Sequence, residues 1–332
     1  MRAPPPADVL LVPTRHDIPR PAGNPERPAL PPVLIHYRRP PVAHRDESYE
    51  NLAIARALAA RVPNPVRIID APALTPVAGH PGDPIADLDG APLPALLLAR
   101  NGSKTTWTDF SAYRALESAG IRVLNQPDAI MKCIDKFWTA QLLEEQDLPT
   151  PATVLVSTVE VAAQAAERVG FPAIVKANVR DGSHGDGIFF VRDLDELRAV
   201  LQMKAALDPD RPVLLQECCQ TGLDLRVLVV GKRCVAAMKR SAPGRLIANC
   251  SQGGSAEPIE ITREMRRLAL AAAKALGLEI AGVDLLLGHD ERLKICEVNS
   301  APGFKALQRT HPDLDIAGAI AAHAATRLRR AA

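Results

Sequence analysis

In the segment Glu297-Val298-Asn299-Ser300-Ala301-Pro302-Gly303, the carboxylate of Glu297 and the amide of Asn299 are two residues apart. On a strand that spacing sends both side chains to one face. Residues 281–287 upstream also read as a strand, and Gly288-His289-Asp290-Glu291-Arg292 reads as a turn. A hairpin folded near residues 290 and 291 sets Asp284 opposite Glu297. Two carboxylates and an amide oxygen then converge, a hard all-oxygen set suited to Mg²⁺ that leaves room for substrate phosphates. A slip of one residue would turn the carboxylates apart and leave an ordinary solvent-facing hairpin.

Other residues can serve a phosphate-bearing ligand. Lys176 ends an apolar strand just before the glycine-rich loop Arg180-Asp181-Gly182-Ser183-His184-Gly185-Asp186-Gly187. Loop glycines let backbone N–H groups wrap an anion while a lysine adds a point charge. The loop lacks the Gly-Lys-Ser/Thr ending of a P-loop and the strand–glycine–helix setting of a dinucleotide fold. A hairpin loop covering phosphates fits it, and so does a plain surface turn. Lys136, in Asp135-Lys136 near a helix start, is a second candidate for the same phosphates or a surface lysine. Gln216-Glu217-Cys218 ends a strand whose backbone groups can meet an adenine edge, and Asp224 and Arg226 follow on the next strand. Asn249 precedes Gly253-Gly254, where close backbone approach is allowed. His184, in the loop, and His311, before a proline, read as solvated or substrate-rim groups rather than central bases.

The elements that must position these groups follow from pattern. Residues 1–32 hold ten of the thirty prolines and read as extended, with a short edge strand at 9–12. Residues 33–37 are a buried strand, 46–60 a helix capped by Asp46, and 66–70 the next strand, a parallel βαβ unit. Residues 71–94 read as loop, 95–99 as strand, 109–119 as a helix stopped by Gly120, and 121–124 as strand. One helical stretch follows Asp128. Then come a strand at 153–156, a helix at 159–169, strands at 173–176 and 188–191, and strands at 213–216, 225–230 and 234–238. A helix at 262–276 is stopped by Gly277, and an Ala-rich helix ends the chain. This divides the chain into a Pro-rich segment (1–32), an N-terminal α/β domain (33–127), a central α+β unit (128–215) and a C-terminal unit with the candidate metal site (216–332).

Composition excludes some classes. A 47% hydrophobic and 23% charged chain of 332 residues is of the soluble globular type, long enough for two or three domains. A net charge of +2 offers no basis for a nucleic-acid or membrane-surface partner. No apolar run reaches spanning length, and Met1-Arg2-Ala3-Pro4-Pro5-Pro6 has no signal-peptide core. The six cysteines lack a C-x-x-C spacing, so free thiols in a reducing cytoplasm are expected.

Taken in order, the motifs resemble the ATP-grasp superfamily and, within it, the RimK-like carboxylate–amine ligases, which add amino acids such as glutamate to carboxylates. The series is Asp135-Lys136, Lys176 with its loop, Gln216-Glu217, Asp224-Leu225-Arg226, Ala236-Ala237-Met238-Lys239-Arg240, Asn249 with Gly253-Gly254, Ala281-Gly282-Val283-Asp284, the Glu297–Gly303 segment and Asp315-Ile316-Ala317-Gly318. It runs from about residue 95 to about residue 320. The resemblance implies an ATP-grasp fold, α/β and α+β, behind an N-terminal βαβ domain. It implies that Lys136, Lys176 and the loop residues Gly182, Ser183, Gly185 and Gly187 contact ATP. Glu217 and Cys218 would hold the adenine edge, Asp224 would lie near the ribose, and Ala248 and Asn249 beside the nucleotide. Asp284, Glu297 and Asn299 would ligate two Mg²⁺ or Mn²⁺ ions, and Arg240 would meet the γ-phosphate or acyl-phosphate, acting with Lys176 in catalysis. Relatives usually have arginine where this chain has Ile247, and often Arg-Gly-Gly where it has Gln252-Gly253-Gly254, which bears on acceptor and amino-acid specificity. The implied partners are an amino acid and a carboxylate acceptor (small molecule, peptide or protein C-terminus), with a homo-oligomer as the family prior. A peptide macrocyclase, a natural-product amide ligase, a kinase without an amine step and a binding-only regulatory protein are the rival readings.

Overall fold

The computed structural model describes residues 16–17, 30–38, 46–70, 74–79, 82–86, 92–178, 187–244 and 254–329. The strand expected at 9–12 lies outside them. So do Gly182, Ser183, Gly185, Ala248 and Asn249.

Three sheets carry the molecule. The first, in the order β1-β3-β2-β4-β5, contains β1 (His16–Asp17), β2 (Val33–Tyr37), β3 (Val66–Asp70), β4 (Leu96–Ala99) and β5 (Arg122–Leu124). β2 runs parallel to β3 and β4, and β4 parallel to β5. Helix α1 (Asp46–Ala59) joins β2 to β3, giving the expected βαβ unit. The strands Val-Leu-Ile-His-Tyr and Leu-Leu-Leu-Ala are buried throughout, as strands covered on both faces must be. Helix α2 (Trp107–Ser118) starts two residues earlier than expected, because Thr106 caps it and the Asp109 side chain closes a capping box.

The helical stretch after Asp128 is two helices, α3 (Pro127–Ile134) and α4 (Lys136–Glu144). Asp135 breaks it. Its backbone is extended and its carboxylate accepts from the Trp138 N–H at 2.9 Å, so it caps α4. The apolar periodicity runs through this break, which is why periodicity alone does not show it.

The central sheet, β6-β9-β7-β8, is formed by β6 (Thr153–Val156), β7 (Ala173–Ala177), β8 (Phe189–Val191) and β9 (Val213–Glu217), all paired antiparallel. Helices α5 (Ala162–Val169) and α6 (Leu194–Leu207) bury Ala162, Ala165, Leu197 and Leu201 against it. The sequence reading places no element at α6, although Asp193 with Glu196 three residues on is a capping signature that the structure uses.

The third sheet runs β12-β11-β10-β13-β14, from β10 (Leu223–Val230), β11 (Arg233–Ser241), β12 (Ser255–Pro258), β13 (Ile280–Leu287) and β14 (Leu293–Asn299). Alternation along β10 divides its neighbours. Val227 and Val229 pack with α7 (Arg263–Leu276), whereas Leu228 and Val230 join a core shared with α1, the first sheet, α8 (Lys305–Thr310) and α9 (Ile316–Arg329). Gly277 ends α7 at φ 76°, the left-handed stop expected of it. The C-terminal helix α9 therefore packs back on α1, tying the end of the chain to its first sheet. Among the described residues no helix is long and apolar enough to cross a membrane, and Cys133, Cys218, Cys219, Cys234 and Cys296 are free thiols.

Candidate active site

The face of the third sheet that packs against α9 changes character along its length. On β10, Leu228 and Val230 are apolar; two and four residues earlier on the same face stand Arg226 and Asp224. Register supplies their partners. Asp224 lies opposite Arg240 of β11, and Arg226 lies opposite Asp284 of β13. Arg226 grips Asp284 with two bonds, Nε to Oδ1 at 2.7 Å and Nη2 to Oδ2 at 2.6 Å. Arg240 Nη2 reaches the same Oδ2 at 3.0 Å, and its Nε donates to Asp224. Four buried or partly buried charges thus form one continuous chain, Asp224–Arg240–Asp284–Arg226.

The ionisation follows from that network. Burial alone would raise the Asp284 carboxyl, but the Arg226 and Arg240 guanidinium groups outweigh it and hold Asp284 down at about 2. Burial pushes Asp224 upward, with Arg240 opposing and the Asp284 charge adding. Burial works against the Arg240 charge, yet the two carboxylates keep it raised above its ordinary value.

The hairpin has the expected register, Asp284 opposite Glu297 and Gly282 opposite Asn299. It also has a feature that strict alternation misses. The register shifts between Asp284 and Leu285, leaving Cys296 as an extra residue on β14. Ile295 and Val298 therefore both reach the α7 core, while Lys294, Cys296, Glu297 and Asn299 stay out of it. Cys296 Sγ lies 3.9 Å from Lys176 Nζ and 3.9 Å from Gln216 Oε1. Lys176, buried on β7, donates to Gln216 Oε1 at 2.8 Å. The central sheet thus meets the hairpin at this point. Lys136 belongs to the same neighbourhood: burial lowers its ammonium, Glu297 opposes that shift, and Lys176 adds to it.

The segment after Asn299 is pinned from the first sheet. Asn125, buried, donates from Nδ2 to Ile280 O and Ser300 O, both at 2.7 Å, and accepts from Glu279 N at 2.7 Å and Ile280 N at 3.0 Å. Arg100 donates to Pro302 O at 3.0 Å, and Glu50 accepts from Phe304 N at 2.7 Å. Gly282 is required where this segment crosses β13, since a Cβ there would stand 2.7 Å from Pro302 Cβ.

The donor set fits a hard divalent cation: two carboxylates in register and, two residues on, an amide whose oxygen can ligate. The buried Asn299 Nδ2 has no hydrogen-bond partner and calls for an acceptor, such as a phosphate oxygen, beside the cation. Both oxygens of Asp284 are engaged by guanidinium groups, so a cation there shares that carboxylate with Arg226 or Arg240. Among the described residues, no group of three or more His, Cys, Asp or Glu side chains converges as a metal cage. The candidate set rests on two carboxylates and an amide.

The remaining expected residues fall as follows. Glu217 ends β9, and its carboxylate is occupied by Lys294 Nζ at 2.5 and 2.7 Å and by Ala152 N at 3.0 Å. Its backbone N–H is engaged as well, donating to Ala152 O at 2.8 Å. Cys218 is buried beside it, with Sγ 3.3 Å from Cys219 O. Gly187 is exposed at φ 79° at the end of the loop. His311 bonds locally, its Nδ1 3.1 Å from Leu307 O, away from the network. Sequence reasoning assigns no role to Lys294, Cys296, Asn125 or Arg100. For Arg226 the signal was present: it shares a face with Asp224 by i, i+2 spacing.

Residues 133–324 match the RimK-like ATP-grasp domain. The chain is 33% identical over 288 residues to N-acetylaspartylglutamate synthase A of Homo sapiens, covering 83% of this chain and 72% of that protein. It is 36% identical over 227 residues to beta-citrylglutamate synthase B of Homo sapiens, covering 67% of this chain and 57% of that protein. The fold is shared with a RimK domain ATP-grasp protein from Sphaerobacter thermophilus, at TM-score 0.67 and 21% identity, over 88% of this chain and 98% of that one. With the motifs in order and the charged hairpin in register, the chain belongs to the RimK-like ATP-grasp family of ATP-dependent carboxylate–amine ligases.

Proposed function

We propose that this protein joins the amino group of glutamate to a carboxylic acid acceptor, consuming ATP and releasing ADP and phosphate. The observation that carries the reading is the juxtaposition on one hairpin of Asp284, Glu297 and Asn299, with Arg240 bonded to Asp284 and Lys176 lying against Cys296 beside Glu297. Two relatives bear names whose products join glutamate to another acid, which supports glutamate as the amine. They favour glutamate ligation over macrocyclisation or a binding-only role.

The acceptor carboxylate attacks the γ-phosphorus of ATP. A P–O bond to the leaving ADP breaks and an acyl-phosphate forms. The glutamate amine then attacks the acyl carbon, phosphate departs with the former carboxylate oxygen, and the amine loses a proton. Each step gathers negative charge, and the chain supplies cations to meet it. Lys136 and Lys176 would contact the ATP phosphates, and Arg240 is held by Asp224 and Asp284 so that it stays charged. Asp284, Glu297 and Asn299 would hold Mg²⁺ or Mn²⁺, which when bound neutralises phosphate oxygens and orients them. The 182–187 loop, with Gly182, Ser183, Gly185 and Gly187, would cover the phosphates and exclude water; Ala248 and Asn249 would flank the nucleotide, with Asp224 on the ribose side. The hinge backbone at Glu217 and Cys218 would take the adenine edge.

The test is ADP release from MgATP with glutamate and a panel of carboxylic acids, with hydroxylamine as trap and products weighed by mass spectrometry. A hydroxamate of the acceptor, and its N-acylglutamate when hydroxylamine is omitted, are expected. ADP release that yields neither product would overturn the reading in favour of a kinase. Lys176→Ala should weaken ATP binding, and an unchanged dissociation constant would remove Lys176 from the phosphate site.

A further inference from the structure

The chain passes between the central sheet and the rest of the molecule twice, entering through residues 149–152 and leaving through 217–220. These crossings are stitched to one another: Glu217 N donates to Ala152 O at 2.8 Å, and Ala152 N donates back to Glu217 Oε2 at 3.0 Å. Both are also tied to the metal hairpin. Ile295 N donates to Pro149 O at 2.7 Å, and Gln220 N donates to Leu287 O at 2.9 Å. One ion pair reinforces these backbone bonds. Lys294 Nζ lies 2.5 Å and 2.7 Å from the two oxygens of Glu217, with both side chains mostly buried. Lys294 is on the same strand as Glu297 and Asn299, and the bulge at Cys296 keeps it out of the α7 core.

We propose that Lys294 is a positioning residue of the nucleotide site. By holding the Glu217 carboxylate, it fixes the hinge backbone that faces the nucleobase and locks it to the strand that carries the metal ligands. The base end and the phosphate end of the nucleotide are thereby set by one rigid strand, so relative displacement of the two sheets at the hinge is resisted by a buried charge pair. Removing the ammonium leaves Glu217 mostly buried with only one N–H donor. The carboxylate then turns toward water, and the hinge loses its register. This role rests on the reading of Glu217 and Cys218 as the nucleobase edge.

The test uses the full chain and isothermal titration of MgATP, followed by the ATP dependence of ADP release. Wild type should bind MgATP. Lys294→Met should raise the ATP dissociation constant and KM by about tenfold while kcat falls less than about threefold, because the change acts on positioning rather than on the reacting atoms. Lys294→Arg, which retains the charge, should recover most of the affinity. Lys294→Met combined with Glu217→Gln should bind better than Lys294→Met alone, since no unpaired carboxylate remains. Undiminished ATP affinity in folded Lys294→Met would overturn the role of Lys294, as would strictly additive losses in the pair. If Lys294→Met does not fold, Glu217→Gln carries the test, and unchanged ATP affinity there would overturn the role equally. No MgATP binding by wild type would overturn the nucleotide-site reading itself, a result separable from any failure confined to the variants.

Discussion

The molecule has two buried polar clusters, and they are built from different chemistry. In the third sheet, Asp224, Arg240, Asp284 and Arg226 alternate in sign and satisfy one another. In the first sheet, His36 Nδ1 lies 2.7 Å from the Tyr113 hydroxyl, and Asn101 Nδ2 donates to that hydroxyl at 3.2 Å and to Asp109 at 3.3 Å. Arg38, more exposed, pairs with Asp109 at 3.2 Å. Burial, with the Asp109 charge adding, raises the Tyr113 hydroxyl well above its ordinary value, so it acts as a neutral hydrogen-bonding group. The charged cluster keeps the Asp284 carboxylate ionised by means of guanidinium partners and includes that candidate metal ligand. The mostly neutral cluster holds the ends of β2 and β4, next to the turn at Gly102, where an added Cβ would stand 3.2 Å from Ala301 Cβ. A site proposed to tolerate the charge of phosphates keeps ions poised in pairs, whereas the brace at the strand ends relies mainly on directional bonds, with one ion pair at its rim.

The sharpest way to break this contrast is Glu297→Ala. ADP release should fall by at least about 10³-fold while the melting temperature moves by less than about 4 °C, because Glu297 serves the ligand more than the core. Turnover at the wild-type level would remove the hairpin from the chemistry. Next, Arg226→Met should cost about 3 kcal/mol in urea unfolding, since Asp284 keeps only one of its two guanidinium partners. Tyr113→Phe should cost only about 1 kcal/mol, the ordinary value of a neutral bond. Equal losses from these two variants would erase the difference between the clusters.

The smallest effect concerns a third, more exposed group. Burial raises Glu279, but hydrogen bonds from His323 and Arg327 outweigh it and lower its carboxyl below the usual 4.5. A depressed carboxyl contributes stability that is present above its unfolded value and lost as pH falls through the folded one. Acid unfolding below about pH 4.5 should therefore be steeper in wild type than in Glu279→Gln. Parallel curves would show that this ion cluster adds nothing to the hold of α9.

Much of the site was legible because its pieces are local. A turn at 288–292 brings Asp284 close to Glu297, although the pairing itself is completed by the extra residue at Cys296, and Gly277 and Thr262 mark the ends of α7 without any tertiary information. Other features were not legible, for identifiable reasons. Asp135 splits a helix whose apolar spacing is continuous, so only its capping bond reveals the break. The extra residue at Cys296 redirects Lys294 to the hinge, and a bulge leaves no mark on an alternating pattern that merely happens to contain a cysteine.

By itself, then, the chain's residue order determined the family, the βαβ start, the hairpin and the candidate ligand residue types, because each shows in short stretches of the chain. The tertiary structure alone decided that Arg226 faces Asp284 across 58 residues, that Lys294 reaches Glu217 across 77, and that Asn125 fastens Ser300 across 175. Those pairings arise when separately specified sheets pack, and side-chain charge carries no record of which distant partner packing will bring within reach.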